Sequence, residues 1–294
     1  MDLTIIIQQL VSGLAIGCVY GLIALGYSFL YNSVGIINLA QGSFVMIGCY
    51  VYGVWLTNNL NLPFLVALPI FLATMAAFGM SCERFFYRPF KRAHLRTLLV
   101  SLVALGMLLG NMVLIVWSPY PLGTRGLFGQ SILTIGGVSI FYQSLFIFVI
   151  TGVLLGVQYW MFQRTLAGKI MRAVSLDKDT AALMGINTDR VISLIFAYSS
   201  ILGGVAGMLI APIFSIDPFL QLIGFKGFGA CVIGSFTSVY GAMIGGLILG
   251  TVETMGAAYA SSLYKDSISY ALIITFLIIR PEGLFGKRRE AGGL

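Results

Sequence analysis

The sequence predicts an all-α fold, a polytopic transmembrane helical bundle of about eight or nine spans forming a single domain over residues 1–294. Hydrophobic residues make up 59% of the chain and charged residues only 9%, whereas a soluble domain carries roughly a quarter charged residues. Two long stretches, 3–82 and 126–163, contain no Asp, Glu, Lys or Arg. A helix crosses the bilayer in about 20 apolar residues, so each stretch predicts several spans. The alternating segments of about 10 residues that build a membrane β-barrel are missing, which favours helices.

Positive charge is concentrated in three connecting segments. Fourteen of the 17 Lys and Arg residues lie beside apolar spans, in three clusters: Arg84, Arg88, Lys91, Arg92 and Arg96; Arg164, Lys169, Arg172, Lys178 and Arg190; Arg280, Lys287, Arg288 and Arg289. Basic connectors favour the cytoplasmic side, so we expect a bacterial inner-membrane protein with a cytoplasmic C-terminus. The net charge of +7 therefore comes mainly from connectors that orient the chain in the lipid membrane, and no nucleic acid is expected as a partner.

Nine spans satisfy this orientation if the N-terminus lies outside. The predicted spans are 5–31, 36–57, 62–82, 97–118, 138–160, 191–214, 219–238, 241–262 and 266–280. Turn-forming residues at 32–33, 58–63, 119–121 and 217–218 separate several of them. The last span is short for a full crossing and the pair at 219–262 is rich in glycine, so a re-entrant piece remains open there. Four spans starting outside, one single span and four starting inside predict an inverted repeat from topology alone.

Glycines recur four residues apart within the predicted spans. They form three sets: Gly13, Gly17 and Gly21; Gly241 and Gly245; Gly246 and Gly250. Small residues at this spacing let helix backbones approach closely. The pattern predicts tight helix packing, and it is also compatible with a packed seam that moves.

Motifs of enzymatic chemistry are missing from the chain. It contains no HExxH, no Gly-x-Ser-x-Gly and only one histidine, His94. The four cysteines show no ligand spacing and are expected to be small buried hydrophobes. No catalytic residue, metal site or cofactor is expected. The P-loop pattern is absent as well, so an ATP-driven transporter would need ATP bound by partner subunits.

A polar segment interrupts the predicted span 36–57. Asn38, Gln41 and Ser43 fall within it, next to Gly35 and Gly42. Lipid offers these side chains no hydrogen-bond partner. They are therefore expected either to bond neighbouring helices or, where the helix breaks at Gly35 or Gly42, to line a substrate path. The candidate path residues in this segment are Asn38, Gln41, Gly42 and Ser43.

Two ionisable residues, Lys226 and Glu253, lie in the glycine-rich C-terminal spans. A charge within a membrane is costly and is usually paired or exposed to a water-filled cavity. Lys226 and Glu253 are expected either to pair with each other or to reach a membrane interface by snorkelling. Both are also candidates for the translocation path.

The basic connector 164–190 predicts a short capped helix. Ser175 or Asp177 can cap its N-terminus, Ala181 and Ala182 provide a slim face, and Gly185 can end it in the left-handed conformation. Such a helix suits docking into a groove of a partner, although a solvated connector has the same pattern. The candidate docking residues are Asp177, Asp179, Ala181, Ala182 and Gly185.

Four motifs, spread along most of the chain, carry a family resemblance. They are Asn38-Leu-Ala-Gln-Gly-Ser43 with Met46-Ile-Gly48; Glu83-Arg84 with Tyr87-Arg-Pro89; Met184-Gly-Ile-Asn-Thr-Asp-Arg-Val191; and Gly241-Ala-Met-Ile-Gly-Gly-Leu-Ile-Leu-Gly250. In this order they resemble the LivH-like permeases. Those proteins are one of two related permease subunits in branched-chain amino acid ABC importers.

The resemblance implies partners and a mechanism. The expected partners are a second, LivM-like permease, two cytoplasmic ATPase subunits and a periplasmic substrate-binding protein. The loop around Ala181, Ala182 and Gly185 would be the coupling helix that meets an ATPase, and alternating access would move the solute.

The chain departs from many relatives of this kind at Gln41 and Ser43, where they carry His and Glu. The alternatives are therefore a permease for urea or short amides and, outside this class, a secondary transporter or channel acting alone. An intramembrane enzyme is disfavoured by the missing nucleophile and metal motifs.

Overall fold

The computed structural model describes residues 3–91, 93–117, 119–124, 126–129, 131–135 and 137–286. Four members of the basic clusters, Arg92, Lys287, Arg288 and Arg289, lie outside these residues. The described helices are α1 (Leu3–Val34), α2 (Gln41–Cys49), α3 (Phe64–Cys82), α4 (Leu95–Val116), α5 (Tyr142–Arg164), α6 (Leu166–Leu176), α7 (Lys178–Leu183), α8 (Thr188–Ile210), α9 (Ile223–Gly234), α10 (Val239–Tyr259) and α11 (Lys265–Ile279).

Short π-helices and 3-10 helices precede or follow several of these α-helices. They are the π-helices Tyr50–Asn59 and Glu83–Tyr87 and the 3-10 helices Arg88–Phe90, Pro218–Leu222 and Ser262–Tyr264. Seven helices are long and apolar enough to cross a membrane, namely α1, α3, α4, α5, α8, α10 and α11 with its preceding turn. The other two predicted spans fall on α2 with its π-helical extension and on the shorter apolar helix Pro218–Gly234. An all-α polytopic bundle is confirmed.

The boundary predicted between the first two spans was wrong on both sides. The first helix continues through 32–33 to Val34, and the second begins at Gln41 rather than at residue 36. The chain leaves α1 at Gly35, whose φ of +79° lies in the left-handed region that glycine tolerates best. Asn38 therefore lies in a connecting segment, outside any helix.

Residues 138–141, predicted as the start of a helix, belong instead to a β-hairpin. Strand β1 (Ile132–Ile135) pairs antiparallel with β2 (Val138–Phe141), and Ile132 lies opposite Phe141. The turn contains Gly137 at a φ of +84°. β-branched residues on both sides of a glycine turn favour paired strands, so α5 begins only at Tyr142.

The connecting segments gather at two ends of the bundle. We call the end that carries segments 83–94, 164–188 and 280–286 the basic end. Here the Lys91 ammonium lies 2.7 Å from a carboxylate oxygen of Asp189, and the Leu284 amide donates to the Ile233 carbonyl at 2.8 Å. At the opposite end, the hairpin region approaches the loop after α8, where Leu122 and Ile216 form a β-bridge.

Helix α10 packs between α1 and α9 through adjacent glycines on two of its faces. A Cβ atom on Gly246 would lie 2.4 Å from the Gly21 amide nitrogen of α1, and one on Gly245 would lie 2.0 Å from the Ala230 carbonyl oxygen of α9. Neighbouring helix positions differ by about 100° in direction, so Gly245 and Gly246 face different partners. The predicted close packing at the glycine repeats is confirmed.

Buried apolar residues form two clusters. The larger one fills the centre of the bundle. A second cluster, here called the basic-end cluster, joins the end of α1, segment 83–90, the connector helices and the start of α8. Its buried members are Phe29, Leu30, Val34, Ile36, Tyr87, Leu98, Leu102, Met171, Val174, Ala181, Val191, Ile192, Ile195 and Phe196.

Candidate functional site

Helix α2 begins inside the bundle. Segment 35–40, here called the return segment, leads from the end of α1 back to Gln41. The Gln41 side chain bonds Ser199 of α8, whose hydroxyl also bonds the Gly26 carbonyl of α1. At 1.5 Å per residue, Gly26 lies about 12 Å from the end of α1 and Ser199 about 16 Å from the start of α8. The N-terminus of α2 is therefore near the middle of the membrane thickness.

Helix α9 reaches the same depth from the opposite end. After α8 the chain turns at residues 211–217 and enters through the 3-10 helix Pro218–Leu222. A Cβ atom on Gly224 would lie 2.4 Å from the Gly42 Cα, and one on Gly42 would lie 2.0 Å from the Gln221 carbonyl oxygen. The two helix N-termini therefore meet in backbone contact. We call residues 41–43 and 221–224 the junction.

A buried hydrogen-bond network fixes the return segment beside the junction. The Gln41 Nε2 donates to the Ser199 carbonyl at 3.1 Å. Its Oε1 accepts from the Ser199 hydroxyl at 3.0 Å and from Asn38 Nδ2 at 3.3 Å, while Asn38 Oδ1 accepts from the Ala40 amide. Asn38 and Gln41 are fully buried. Their carboxamides thus bond neighbouring helices in this conformation, and direct contact with a solute stays a prediction.

Ser43 lies on the side of α2 that faces α4 and the 3-10 helix. Its hydroxyl is 3.4 Å from both the Gly106 carbonyl and the Oε1 of Gln221. Gln221 is partly exposed, and a Cβ atom on Gly110 of α4 would lie only 3.0 Å from its Oε1. Sequence reasoning missed Gln221, although a lone glutamine in the run Phe-Leu-Gln-Leu-Ile is a signal of the same kind as Gln41.

An exposed apolar surface surrounds the junction. Leu39, Leu222 and Phe225 are 36%, 47% and 54% exposed, respectively. They lie immediately beside the residues at which α2 and α9 meet. We call this surface the junction face. Leu222 also borders the cavity that Lys226 and Asp217 line, and at this depth lipid or another transmembrane chain would cover the rest of the face.

Lys226 and Glu253 pair in a buried ionic cluster, as one of the two alternatives from the sequence predicts. The Lys226 ammonium lies 2.9 Å from Glu253 Oε1 and 2.7 Å from Asp266 Oδ1. Glu253 is fully buried. It also accepts from the Tyr20 hydroxyl at 3.0 Å and the Ser269 hydroxyl at 2.6 Å.

The cluster joins four helices and borders a cavity. Lys265 completes it, with its ammonium 3.2 Å from Glu253 Oε1. The cavity of about 360 Å³ is bordered by Lys226, by Asp217 and by aromatic side chains that include Phe214 and Tyr270. No side-chain hydrogen bond among the described residues joins this cluster to the Gln41 network. The structure therefore brings the predicted path residues together as two separate groups.

The connector helix α7 has the predicted cap and the predicted end. Asp177 Oδ1 accepts from the amides of Asp179 and Thr180 at 2.9 and 3.1 Å. The hydrogen bond from the Thr180 hydroxyl, followed by those from the two amides, lowers the pKa of the Asp177 carboxyl. Gly185 follows the helix at a φ of +84°. Ser175, the other candidate cap, lies within α6 and bonds the Arg172 carbonyl instead.

The exposed surface of α7 differs from the slim alanine face predicted. Ala181 is buried in the basic-end cluster and only Ala182 is exposed, because the two neighbouring positions point in different directions. Leu176, Leu183 and Met184 are instead 88%, 87% and 79% exposed. We call these three residues the loop patch. Three exposed apolar side chains close together in sequence make this part of the connector a candidate docking surface.

These features define a class of protein: a multi-pass membrane protein with two helices that start at a buried mid-membrane junction. Comparison with known families makes this specific. Residues 9–277 match the model of a family described as the permease component of branched-chain amino acid transport systems. The chain belongs to this family and is a transport permease component.

Named relatives span almost the whole chain. The high-affinity branched-chain amino acid transport permeases BraD of Pseudomonas aeruginosa and LivH of Salmonella typhimurium are each 34% identical to it, with 96% of each chain covered. A probable branched-chain amino acid transport permease LivH of Methanocaldococcus jannaschii is 27% identical over 90% of this chain and 88% of its own length. No solved structure is significantly similar to the chain.

Proposed function

We propose that this chain is one of two permease subunits of an ABC importer that moves branched-chain amino acids across a bacterial inner membrane. The observation that carries the proposal is full-length similarity, at 34% identity, to permeases named for high-affinity transport of these amino acids. ATP would be hydrolysed by two separate subunits, and a periplasmic binding protein would deliver the solute.

The charge distribution supports a cytoplasmic basic end, and with it a cytoplasmic C-terminus. Arg164 ends α5 and Lys169 and Arg172 lie on the connector helix α6, and basic connectors are retained on the cytoplasmic side. The loop patch then faces the compartment that contains ATP. Its three exposed apolar side chains, one before the capped helix α7 and two at its end, suit insertion into a groove of an ATPase subunit.

The junction face is the surface we assign to the second, LivM-like permease. Leu39, Leu222 and Phe225 are large apolar side chains beside the residues at which α2 and α9 begin. A path between the two permeases would pass Gly42, Ser43 and Gln221. The Lys226–Glu253 cluster would hold α9, α10 and α11 together beside this path.

Alternating access follows from this arrangement. The binding protein would release solute at the end opposite the basic one. Closure of the ATPases would displace α7, and α2 and α9 would separate or close at the junction, where the backbones of Gly42, Gln221 and Gly224 are in contact. Specificity would rest mainly with the binding protein.

The test of the function is copurification followed by transport. We expect the tagged chain to bring with it a second permease and two ATPase subunits, and the reconstituted complex to take up radiolabelled leucine, isoleucine and valine only with ATP and the binding protein. Uptake by the purified chain alone in liposomes would replace this proposal with a secondary transporter or channel.

Urea and short amides form the second candidate class of solute. The observation that favours them is a junction whose polar side chains, Gln41, Ser43 and Gln221, are all neutral. The same preparation decides between the classes, since mass spectrometry of the binding protein identifies its ligand. Bound amide and no branched-chain amino acid would select this alternative.

The connector helix offers a further prediction. Gly185→Val should lower uptake per ATP hydrolysed, because a β-branched residue in the left-handed conformation is strained by about 1–2 kcal/mol. Space is not the cause, since no atom lies within 4 Å of a Cβ built at Gly185. Uptake and ATP hydrolysis are measured together in proteoliposomes. Gly185→Asn is the control and should keep the ratio closer to that of the wild type, because asparagine tolerates the left-handed conformation. An unchanged ratio in Gly185→Val would remove α7 from the coupling assignment.

A further inference from the structure

The first residue of the connector helix α7 bonds the last residue of α1. The Lys178 ammonium donates to the Val34 carbonyl at 3.0 Å. The final carbonyls of a helix have no intrahelical partner, and a lysine at this end also interacts favourably with the helix dipole. Val34 immediately precedes Gly35, where the return segment begins. The contact therefore joins α7 to the beginning of the return segment.

Apolar packing reinforces this contact. Val34 and Ile36 are 5% and 6% exposed, and both belong to the basic-end cluster that also contains Ala181 of α7. Met171 and Val174 of α6 complete the inward face of the connector. Burial against these groups lowers the pKa of Lys178, and the nearby Asp179 carboxylate opposes that shift. The connector helices and the start of the return segment thus form one packed body.

The other end of the return segment is fixed at the junction. Asn38 and Gln41 bond each other, and Gln41 bonds Ser199 in the middle of α8. Only Ile37 lies between the packed Ile36 and the hydrogen-bonded Asn38. The return segment is therefore too short to absorb a displacement of α7 without moving Asn38 or Gln41.

We propose that Lys178 is a positioning residue that transmits displacement of α7 through the return segment to the junction. The inference rests on the proposed function, because it requires an ATPase that moves α7. Lys178 would act by holding the end of α1 to the connector, so that both move as one. It would contact neither the solute nor the nucleotide.

The experiment uses the complete complex in proteoliposomes with the binding protein. Lys178→Met keeps most of the apolar stem and removes the ammonium, while Lys178→Arg keeps a cation. We expect the complex with Lys178→Met to hydrolyse ATP at the wild-type rate but to take up about tenfold less solute per ATP hydrolysed. An effect of this size is within the usual range for coupling between two sites. Lys178→Arg should recover most of the ratio. Lys169→Met, on an exposed position of α6, is the matched control and should leave it unchanged.

A second measurement follows the return segment itself. Leu39 borders the proposed path between the two permeases, and the four native cysteines are buried, so Leu39→Cys places one reporter thiol beside that path. We expect its rate of modification by a methanethiosulfonate reagent to change when the ATPases bind a non-hydrolysable nucleotide. In the Lys178→Met background this nucleotide-dependent change should disappear. A role limited to the stability of α1 would leave it in place.

The outcomes separate this inference from the proposed function. If ATPase subunits do not copurify with the wild-type chain, the proposed function fails. If they do, and Lys178→Met retains both the wild-type ratio of uptake to hydrolysis and the nucleotide-dependent labelling, the inference is wrong. It is equally wrong if Lys178→Met loses ATPase subunits in proportion to uptake, because Lys178 then serves docking alone.

Discussion

Glu253→Ala should lower the apparent melting temperature of the purified protein more than any other single charge removal in the bundle. Tyr20, Lys226, Lys265 and Ser269 all direct hydrogen-bonding or charged groups at the fully buried Glu253 carboxylate. Breaking a buried pair by removing one partner costs about 3–5 kcal/mol, because it leaves the other charge uncompensated. Thermal unfolding in detergent, followed by the monodisperse fraction on size exclusion, measures the loss.

The second carboxylate partner of Lys226 supplies the control. Asp266 lies 2.7 Å from the same ammonium, but its side chain is 71% exposed. Exposed ion pairs contribute about 0–1 kcal/mol, so Asp266→Asn should change the melting temperature little. A double variant, Lys226→Met with Glu253→Leu, should recover part of the stability lost in Glu253→Ala. Equal losses for Glu253→Ala and Asp266→Asn would refute the buried-cluster interpretation.

Gly42→Ala should abolish most transport. The added Cβ would lie 2.0 Å from the Gln221 carbonyl oxygen, which is backbone and cannot rotate away. The N-termini of α2 and α9 must then separate, and overpacking of this kind costs typically about 1–3 kcal/mol. Uptake into proteoliposomes is expected to fall at least tenfold, about the effect of 1.4 kcal/mol on an equilibrium between conformations.

Gly152→Ala on α5 is the matched control for this substitution. It makes the same chemical change within a spanning helix, and no atom lies within 4 Å of its Cβ position. Alanine also favours helix over glycine, so transport should be retained and stability should not fall. Wild-type uptake by Gly42→Ala would show that the closed junction is not part of the transport cycle.

Hydropathy and charge position predicted the helices because both act within one segment of sequence. An apolar run of sufficient length and a basic flank decide a span without reference to the rest of the fold. The cap of α7 by Asp177 and its end at Gly185 were equally local, and the structure confirms both. The hairpin at 132–141 was missed because a short apolar strand and a piece of apolar helix look alike in composition.

The site could be predicted only in part, because it depends on contacts between segments that are distant in the sequence. Lys226 and Glu253 stood out in the sequence as isolated charges within apolar spans. Their contacts with Tyr20, Lys265 and Asp266 depend on the packing of four helices, which the sequence alone does not show. The return segment was placed inside a span because Gly35 alone gives no measure of depth. That depth is set by the bonds of Gln41 with Ser199 of α8, far along the chain.

Because Gly245 and Gly246 direct α10 at two neighbours without any intervening side chain, α1, α9 and α10 form a single stiff plate. Rotating one of these helices would separate backbones that fit only at one angle. Motion at the junction must therefore fall on α2, the return segment and the connector helices, which lie outside this plate. A pair of spectroscopic probes on α2 and α9 should thus report the change of conformation, while pairs placed within the plate should keep a constant separation throughout the cycle.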